Sequence, residues 1–114
     1  MIKVEAIVRE DKYEDVKEAL NGIEVTGITV SQVMGCGVQR GYTEVVRGQR
    51  VDTLLQPKIK FEIVVSSKEW EKKTVEAIRQ AAFTGNPGDG KIFSWDLRSV
   101  MRIRTTETGY DAIN

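Results

Sequence analysis

One stretch organises the chain, and it reads Thr84-Gly85-Asn86-Pro87-Gly88-Asp89-Gly90-Lys91-Ile92-Phe93. It lies between a segment with helical periodicity and one with strand-like alternation. Glycines reach positive φ and turn backbone N–H groups inward, which makes a concavity that binds anions. The neighbouring lysine adds a point charge suited to phosphate. The alternative is a tight surface turn with an exposed lysine, because short glycine-rich matches are common.

Composition limits the classes of function. The 114 residues form one domain, and seventeen basic against seventeen acidic residues give no net charge. This balance argues against nucleic acid or a membrane surface as partner. There is no histidine and a single cysteine, Cys36, which excludes an internal disulfide or a cysteine-based zinc site and suits a reducing compartment. Without a signal-peptide core or a membrane-length apolar run, we expect a cytoplasmic protein with no membrane insertion.

The remaining segments predict the fold. Alternation predicts strands at 1–9, 28–36 and 59–65, and a fourth at about 92–104 with an interruption near Asp96. A helix follows Asp11 and stops at Gly22, and a second opens with a capping box on Ser66. The order is β-α-β, a long loop, then β-α-β. This is an α+β, ferredoxin-like (βαβ-βαβ) plan, an antiparallel four-stranded sheet with two helices on one face.

The single domain covers 1–114, with a structureless loop at about 38–56 and a flexible tail at about 105–114. A loop of that length inside a compact domain is either functional or disordered. Two helices cover only one face of the sheet, and Ile7 and Val64 lie among polar groups on the other. We therefore expect other copies of the chain to cover this face in a closed ring.

Three basic residues could serve the glycine loop. Lys91 belongs to it, and Arg102 and Arg104 are two apart on the predicted fourth strand, so they project from one face. Two guanidinium groups suit a polyphosphate, although a solvated pair is the alternative. No paired carboxylates, metal-ligand cluster or Walker motif is found, which favours a sensor over an enzyme.

Polar and glycine positions elsewhere could complete a nucleotide site. Gly35 and Gly37 could admit a flat ligand against the backbone, or mark a bulge or hinge. Cys36 between them is expected to pack and not to act as a nucleophile, since no histidine could activate it. Thr29 and Glu62 could bind a nucleobase or ribose, and otherwise face water. Gln39 and Lys58 bracket the long loop, so a ligand between them could set its conformation.

The chain resembles the nitrogen-regulatory PII signal-transduction proteins over nearly its full length. The match is specific because many motifs occur in the right order. They are Glu5-Ala6-Ile7-Val8-Arg9, Val16-Lys17-Glu18-Ala19-Leu20, Gly27-Ile28-Thr29-Val30, Gly35-Cys36-Gly37-Val38-Gln39-Arg40-Gly41-Tyr42-Thr43-Glu44, Arg47-Gly48, Leu55-Gln56-Pro57-Lys58, Thr84 through Phe93, Arg102-Ile103-Arg104-Thr105 and Ala112-Ile113.

The resemblance implies a homotrimer that binds ATP or ADP between neighbouring subunits. Gly88, Asp89, Gly90 and Lys91 would surround the phosphates, with Arg102 and Arg104 reaching in from the adjacent subunit. The adenosine would be held by Thr29, Gly35, Gly37, Glu62 and Val64. Further candidates for contact with the nucleotide are Ile7, Cys36 and Val38. In the family, 2-oxoglutarate joins Mg-ATP at the positions of Gln39 and Lys58, which makes Gln39 the expected magnesium ligand. The long loop, the family's T-loop, docks on membrane transporters or regulated enzymes.

Three positions depart from the pattern of the family. Val51 stands where many bacterial members carry a tyrosine that is uridylylated, so that modification should be absent. Gln49 replaces a serine that is phosphorylated in some cyanobacterial members. Val38 replaces a basic residue that touches the phosphates, which would weaken a preference for ATP over ADP. We expect Arg47 to contact the target.

The leading hypothesis is a regulator of a transporter or nitrogen-metabolism protein that reads adenylate state through its nucleotide site. A slow ATPase or phosphotransferase on the same scaffold is the alternative from another class, because ferredoxin-like domains host many functions. A structural or metal-handling trimer is a third, although the lack of histidine counts against metal handling.

Overall fold

The computed structural model describes residues 1–38, 44–46, 49–51 and 53–113, with backbone alone for 37–38, 44–46, 49–51 and 53–54. A 3₁₀ turn at Glu10–Lys12 separates the first strand from the first helix. The remaining elements are β1 (Ile2–Arg9), α1 (Tyr13–Gly22), β2 (Thr29–Val38), β3 (Glu44–Val46), β4 (Gln49–Val51), β5 (Thr53–Val65), α2 (Lys68–Ala82), β6 (Gly90–Asp96) and α3 (Tyr110–Ile113).

Four strands form one sheet in the order β2-β5-β1-β6, and every neighbouring pair is antiparallel. The strands of the two β-α-β units alternate across the sheet, as in a ferredoxin-like fold. The predicted fold class is therefore confirmed. Strands β3 and β4 pair separately in an antiparallel ribbon.

Alternation along β1 and β5 places one row of side chains against the helices. Val4 and Ala6 of β1 and Phe61 of β5 are fully buried there, against Leu20 of α1 and Ile78 of α2. Tyr13 stacks on Phe61 with ring centroids 5.9 Å apart. Each large apolar side chain removed from water contributes about 1.5–3 kcal/mol, so this layer is the main source of stability. The alternate residues form the opposite, helix-free surface, here called the open face.

The second helix begins one residue later than predicted. Ser67, not Ser66, is the N-cap: it has extended backbone angles, and its hydroxyl accepts a hydrogen bond from the Trp70 N–H at 3.2 Å. Two consecutive serines offer the same capping chemistry, so the sequence pattern does not distinguish them. The predicted helix is otherwise confirmed.

The loop predicted at about 38–56 is partly strand, and there the prediction of a structureless segment is wrong. Strand β2 continues to Val38, which pairs with Thr53, and β5 runs through Pro57. A proline is tolerated because β1 ends opposite Lys58, so Pro57 lies where the sheet is only two strands wide. Residues 39–43, 47–48 and 52 of this segment lie outside the described ranges.

The fourth strand is shorter than predicted. Strand β6 ends at Asp96, and the Leu97 N–H then donates to the Met1 carbonyl at 3.0 Å. A turn follows in which the Thr106 N–H donates to the Arg102 carbonyl, and Met101 forms an isolated antiparallel bridge with Thr108. The prediction that residues 97–104 continue the strand is wrong. The segment predicted as a flexible tail contains this bridge and α3.

Candidate functional site

The open face gathers most of the predicted site residues. In the register of the sheet, Lys91 of β6 lies opposite Ile7 of β1, and Thr29 of β2 lies opposite Glu62 of β5. Side chains separated by two residues along a strand share a face. By this rule the open face carries Ile7, Thr29, Gly35, Lys58, Glu62, Val64 and Lys91. Residues from four strands therefore meet on one surface, next to the glycine loop that leads into β6.

Asp89 organises the glycine loop. Its carboxylate accepts hydrogen bonds from the Thr84 N–H at 2.9 Å, the Gly85 N–H at 3.0 Å and the Thr84 hydroxyl. Arg9 adds an ion pair through Nε at 3.0 Å. Hydrogen bonds from Thr84, with those from Arg9 and Gly85, hold the pKa of the Asp89 carboxyl well below its ordinary value. The carboxylate thus closes its own loop and is occupied by these donors.

The loop backbone requires glycine at several places. Gly85, Gly88 and Gly90 have φ of +86°, +100° and +102°, a region that other residues rarely adopt. Left-handed backbone between ordinary residues turns successive N–H groups toward a common side, as in anion-binding nests. The geometry therefore favours the phosphate-loop interpretation over a featureless surface turn.

Two cations reach the loop from neighbouring strands. Arg9 at the end of β1 lies opposite Lys58 of β5. The Arg9 Nη2 group donates to the Pro87 carbonyl at 2.6 Å, and the Lys58 ammonium donates to the Gly88 carbonyl at 2.6 Å. Burial, followed by repulsion from Arg9, lowers the pKa of Lys58. The loop is thereby tied to the sheet on the side that also carries the base of residues 38–56.

Arg9 was missed by the analysis of the sequence. It occupies the last outward position of β1, after Lys3, Glu5 and Ile7, and the alternation of the sequence predicts that face for it but not a role in the site. Its contact with a loop almost eighty residues away depends on the register of three strands. Spacing along the chain carries no signal for such a contact.

The other end of the open face carries a network of ion pairs. Lys3 contacts Glu62 at 3.0 Å, and Lys60 contacts Glu5 at 3.7 Å. The hydrogen bond from Lys3 lowers the pKa of Glu62, so this carboxylate is a hydrogen-bond acceptor at neutral pH. Thr29 lies opposite it, so a hydroxyl and a carboxylate are neighbours at this end of the surface.

The predicted pair of arginines does not share a strand face. Arg102 precedes the turn and contacts the Glu107 carboxylate at 3.3 Å and the Ala112 carbonyl at 3.4 Å. Arg104 lies within the turn and is exposed. Residues 103–105 form a turn and β6 ends at Asp96, so Arg102 and Arg104 do not lie on a strand. The prediction of two parallel forks on one strand face is therefore wrong.

The remaining candidates lie at or beyond the edge of the described residues. Cys36 is exposed and has the opposite parity to Gly35, so it lies off the open face. Gly37 and Val38 are paired strand residues described by their backbone, and Gln39 lies outside the described residues, as does Arg47. Within the described ranges, no three histidine, cysteine or acidic side chains lie together as a metal site. No helix in that part of the chain combines the length and apolarity needed to span a membrane.

Comparison with known proteins identifies the group to which the chain is related. Residues 1–107 match the family model described as nitrogen regulatory protein P-II. The nitrogen regulatory protein P-II 1 of Methanothermobacter thermautotrophicus is 51% identical, with 99% of this chain and 97% of that protein aligned. The nitrogen regulatory protein P-II of Pasteurella multocida is 46% identical, with 99% and 100% aligned.

Two solved structures of a related protein have the same fold as this chain. Bacillus subtilis GlnK superposes with a TM-score of 0.79 and 40% identity, covering 97% of this chain and 96% of that one. The B. subtilis GlnK-ATP complex superposes with a TM-score of 0.78 and 37% identity, covering 97% and 94%. The names of the family and its members describe regulators, which confirms the prediction of a regulatory protein and not an enzyme. The chain belongs to the nitrogen regulatory protein P-II family.

Proposed function

We propose that this chain is a homotrimeric PII signalling protein that binds ATP or ADP between its subunits and controls a transporter or a nitrogen-metabolism target. The observation that carries the proposal is the glycine loop, which is closed by Asp89 and lies beside Lys58 and Lys91 at one end of the open face. The likeness to a solved GlnK-ATP complex over 97% of the chain supports adenine nucleotide as the ligand.

The phosphates are assigned to the loop. Backbone N–H groups of Gly88, Asp89 and Gly90 bind phosphate oxygens, and the exposed ammonium of Lys91 adds a charge-assisted hydrogen bond. Asp89 contributes its backbone alone, since its carboxylate is held within the loop. Arg102 and Arg104, which lie beyond β6 near the C-terminus, are assigned to the nucleotide of a neighbouring subunit, as the resemblance to the PII proteins implies.

The adenosine is assigned to the strands next to the loop. The hydroxyl of Thr29 and the ionised carboxylate of Glu62 offer polar contacts at neighbouring positions of the sheet. Apolar and glycine positions supply the surface against which a flat base can lie. These are Ile7, Gly35, Gly37 and Val64. Cys36 and Val38 lie between and beside the two glycines on β2 and are assigned to the edge of the same site.

The effector site is assigned to the junction between the loop and residues 38–56. Lys58 binds a carboxylate of 2-oxoglutarate, and Gln39 ligates the magnesium of Mg-ATP. The T-loop of residues 38–56 then docks on the target, with Arg47 as a contact, in the cytoplasm. With Val51 in place of a tyrosine, the protein is regulated without uridylylation, and Val38 reduces the preference for ATP over ADP.

The open face supports the assembly. Phe93 and Trp95 of β6 project onto it and are each 43% exposed. A single chain leaves these rings in water, whereas a ring of three subunits would bury them.

Calorimetric titration tests the function directly. The purified protein is titrated with ATP and with ADP, and each titration is repeated with Mg²⁺ and 2-oxoglutarate. We expect both nucleotides to bind and 2-oxoglutarate to tighten ATP binding. Nucleotide binding that 2-oxoglutarate leaves unchanged would restrict the protein to sensing adenylates, and the absence of binding to either nucleotide would refute the proposal.

A further inference from the structure

The two cations behind the glycine loop contact its carbonyl groups. Arg9 Nη2 donates to the carbonyl of Pro87, and Lys58 Nζ donates to that of Gly88, each at 2.6 Å. These are consecutive peptide groups of the loop. Both cations come from the sheet, where they are opposite one another in the β1–β5 register. The loop is therefore held from one side at two neighbouring peptide planes.

Holding a carbonyl fixes the direction of the N–H in the same peptide plane. A trans peptide is planar, and its C=O and N–H point in opposite directions. When Arg9 holds the Pro87 carbonyl, the Gly88 N–H points away from the cation. When Lys58 holds the Gly88 carbonyl, the Asp89 N–H does the same. Two of the N–H groups assigned to phosphate are thus oriented by groups on the far side of the loop.

Arg9 is suited to this role and poorly suited to bind phosphate itself. Its Nε pairs with the Asp89 carboxylate at 3.0 Å, which offsets its charge, while Nη2 is used by Pro87. The contact is close: a Cβ atom placed on Gly88 would lie 3.2 Å from Arg9 Nη2. The guanidinium is half-buried, with 28% of the side chain exposed. One planar fork thereby joins the loop's carboxylate to its backbone, a geometry that an ammonium does not reproduce.

We propose that Arg9, together with Lys58, is a positioning residue of the nucleotide site that orients the N–H groups of Gly88 and Asp89 toward the phosphates by holding the opposite carbonyls. The inference rests on the proposed function, since it concerns the same phosphate site. It assigns Arg9 a role without contact to the nucleotide.

The test compares Arg9→Gln, which removes the fork and the charge, with Arg9→Lys, which keeps the charge alone. Lys12→Gln is the matched control, because Lys12 is a nearby cation whose ion pair with Asp15 at 3.5 Å lies within a helical segment. Each variant is titrated with ATP and with ADP in the absence of 2-oxoglutarate. The proposed contact between Lys58 and 2-oxoglutarate then has no influence on the measured affinities. Thermal unfolding and oligomeric state are measured for each protein.

A second measurement needs no nucleotide. The N–H groups of Thr84 and Gly85 are bonded to the Asp89 carboxylate, so their hydrogen exchange reports how firmly Asp89 is held. We expect both Arg9 variants to weaken ATP and ADP binding by a similar factor of about tenfold or more, the scale of lost hydrogen bonds to a charged group. Exchange at Thr84 and Gly85 should become faster in the same variants, and Lys12→Gln should match the wild type.

Several results would overturn the inference. Wild-type affinity in Arg9→Lys would show that Arg9 acts by charge alone, and loss of ATP binding with ADP binding intact would show direct contact with the terminal phosphate. Unchanged exchange at Thr84 and Gly85 would show that Arg9 does not hold the loop. A wild-type protein that binds neither nucleotide would instead refute the proposed function, and this inference with it. Failure of this inference leaves nucleotide binding by the wild-type protein intact, whereas failure of the proposed function abolishes it, so the two outcomes can be distinguished.

Discussion

Gly90 of β6 passes so close to Ile7 of β1 that a Cβ atom on Gly90 would lie 1.7 Å from the Ile7 carbonyl oxygen. The backbone of Gly90 also has a φ of +102°. The contact joins the end of the glycine loop to the central part of the sheet, one residue before Lys91. Any side chain at this position must displace backbone, and backbone moves at greater cost than a flexible side chain.

Gly90→Ala should therefore destabilise the protein by about 3 kcal/mol, since it combines a steric clash with an unfavourable φ. Nucleotide binding should also be lost, because the loop must shift away from β1. Gly22→Ala is the control: no atom lies within 4 Å of a Cβ there, and Gly22 lies at the end of α1. That change should be neutral or stabilise by up to about 1 kcal/mol. Urea unfolding of both variants measures the difference, and equal stabilities would contradict the close approach.

Asp89 should keep its loop closed in acid. Its pKa is held below the ordinary value of 3.8, chiefly by hydrogen bonds from Thr84. A depressed pKa means that the ionised group stabilises the folded loop above pH 3.8, and that this contribution falls as the pH drops through the lower, folded pKa. An NMR titration of the Asp89 carboxyl carbon should show an ionised group at pH 3.8. Half-protonation at that pH would contradict the hydrogen-bond network.

Lys91→Ala should abolish measurable nucleotide binding and leave the assembly intact. The ammonium is exposed on β6 and is assigned to phosphate, where a charge-assisted bond is worth about 1.5–3 kcal/mol, or up to about a hundredfold in affinity. Lys72→Ala, at an exposed position on α2, removes the same charge at a distance and should bind normally. Calorimetry with ATP and sedimentation analysis of the same samples separate binding from assembly. Retained affinity in Lys91→Ala would remove this residue from the phosphate site.

The main elements of the fold were predictable because burial imposes a period on each strand and helix. Alternation along β1 follows directly from its position over the helices, and the helical spacing of Val16 and Leu20 follows from theirs. Contacts set by the register of distant strands were not predictable in the same way. Arg9 meets Asp89 only because β6 lies beside β1. The orientation of Arg102 likewise depends on Glu107 across a turn that leaves no periodic signal.

Phe93→Asp should dissociate the proposed trimer. Phe93 lies on the open face opposite Glu5, so an added carboxylate would face an existing one as well as remove an apolar contact. Burying such a ring contributes about 1.5–3 kcal/mol, and each subunit supplies one. The isolated chain should fold normally, because the ring is 43% exposed there. Lys72→Glu makes a charge change on the helical side as the control. Sedimentation velocity should show a mass near 12.8 kDa for Phe93→Asp and three times that for the control.

Thr74→Val should stabilise the protein, a test of the core that is independent of any ligand. Thr74 is fully buried on α2, and within the described residues its hydroxyl oxygen has no hydrogen-bond partner. An unpaired buried hydroxyl costs about 1 kcal/mol or more, whereas a methyl group of similar size costs nothing to desolvate. Helix propensity does not offset the gain, because threonine and valine are nearly equal. Thr74→Ser keeps the hydroxyl and deletes a methyl group, so it should lose about 1 kcal/mol. Chemical unfolding should place the wild type between the two variants, and a less stable Thr74→Val would show that the hydroxyl is bonded in solution.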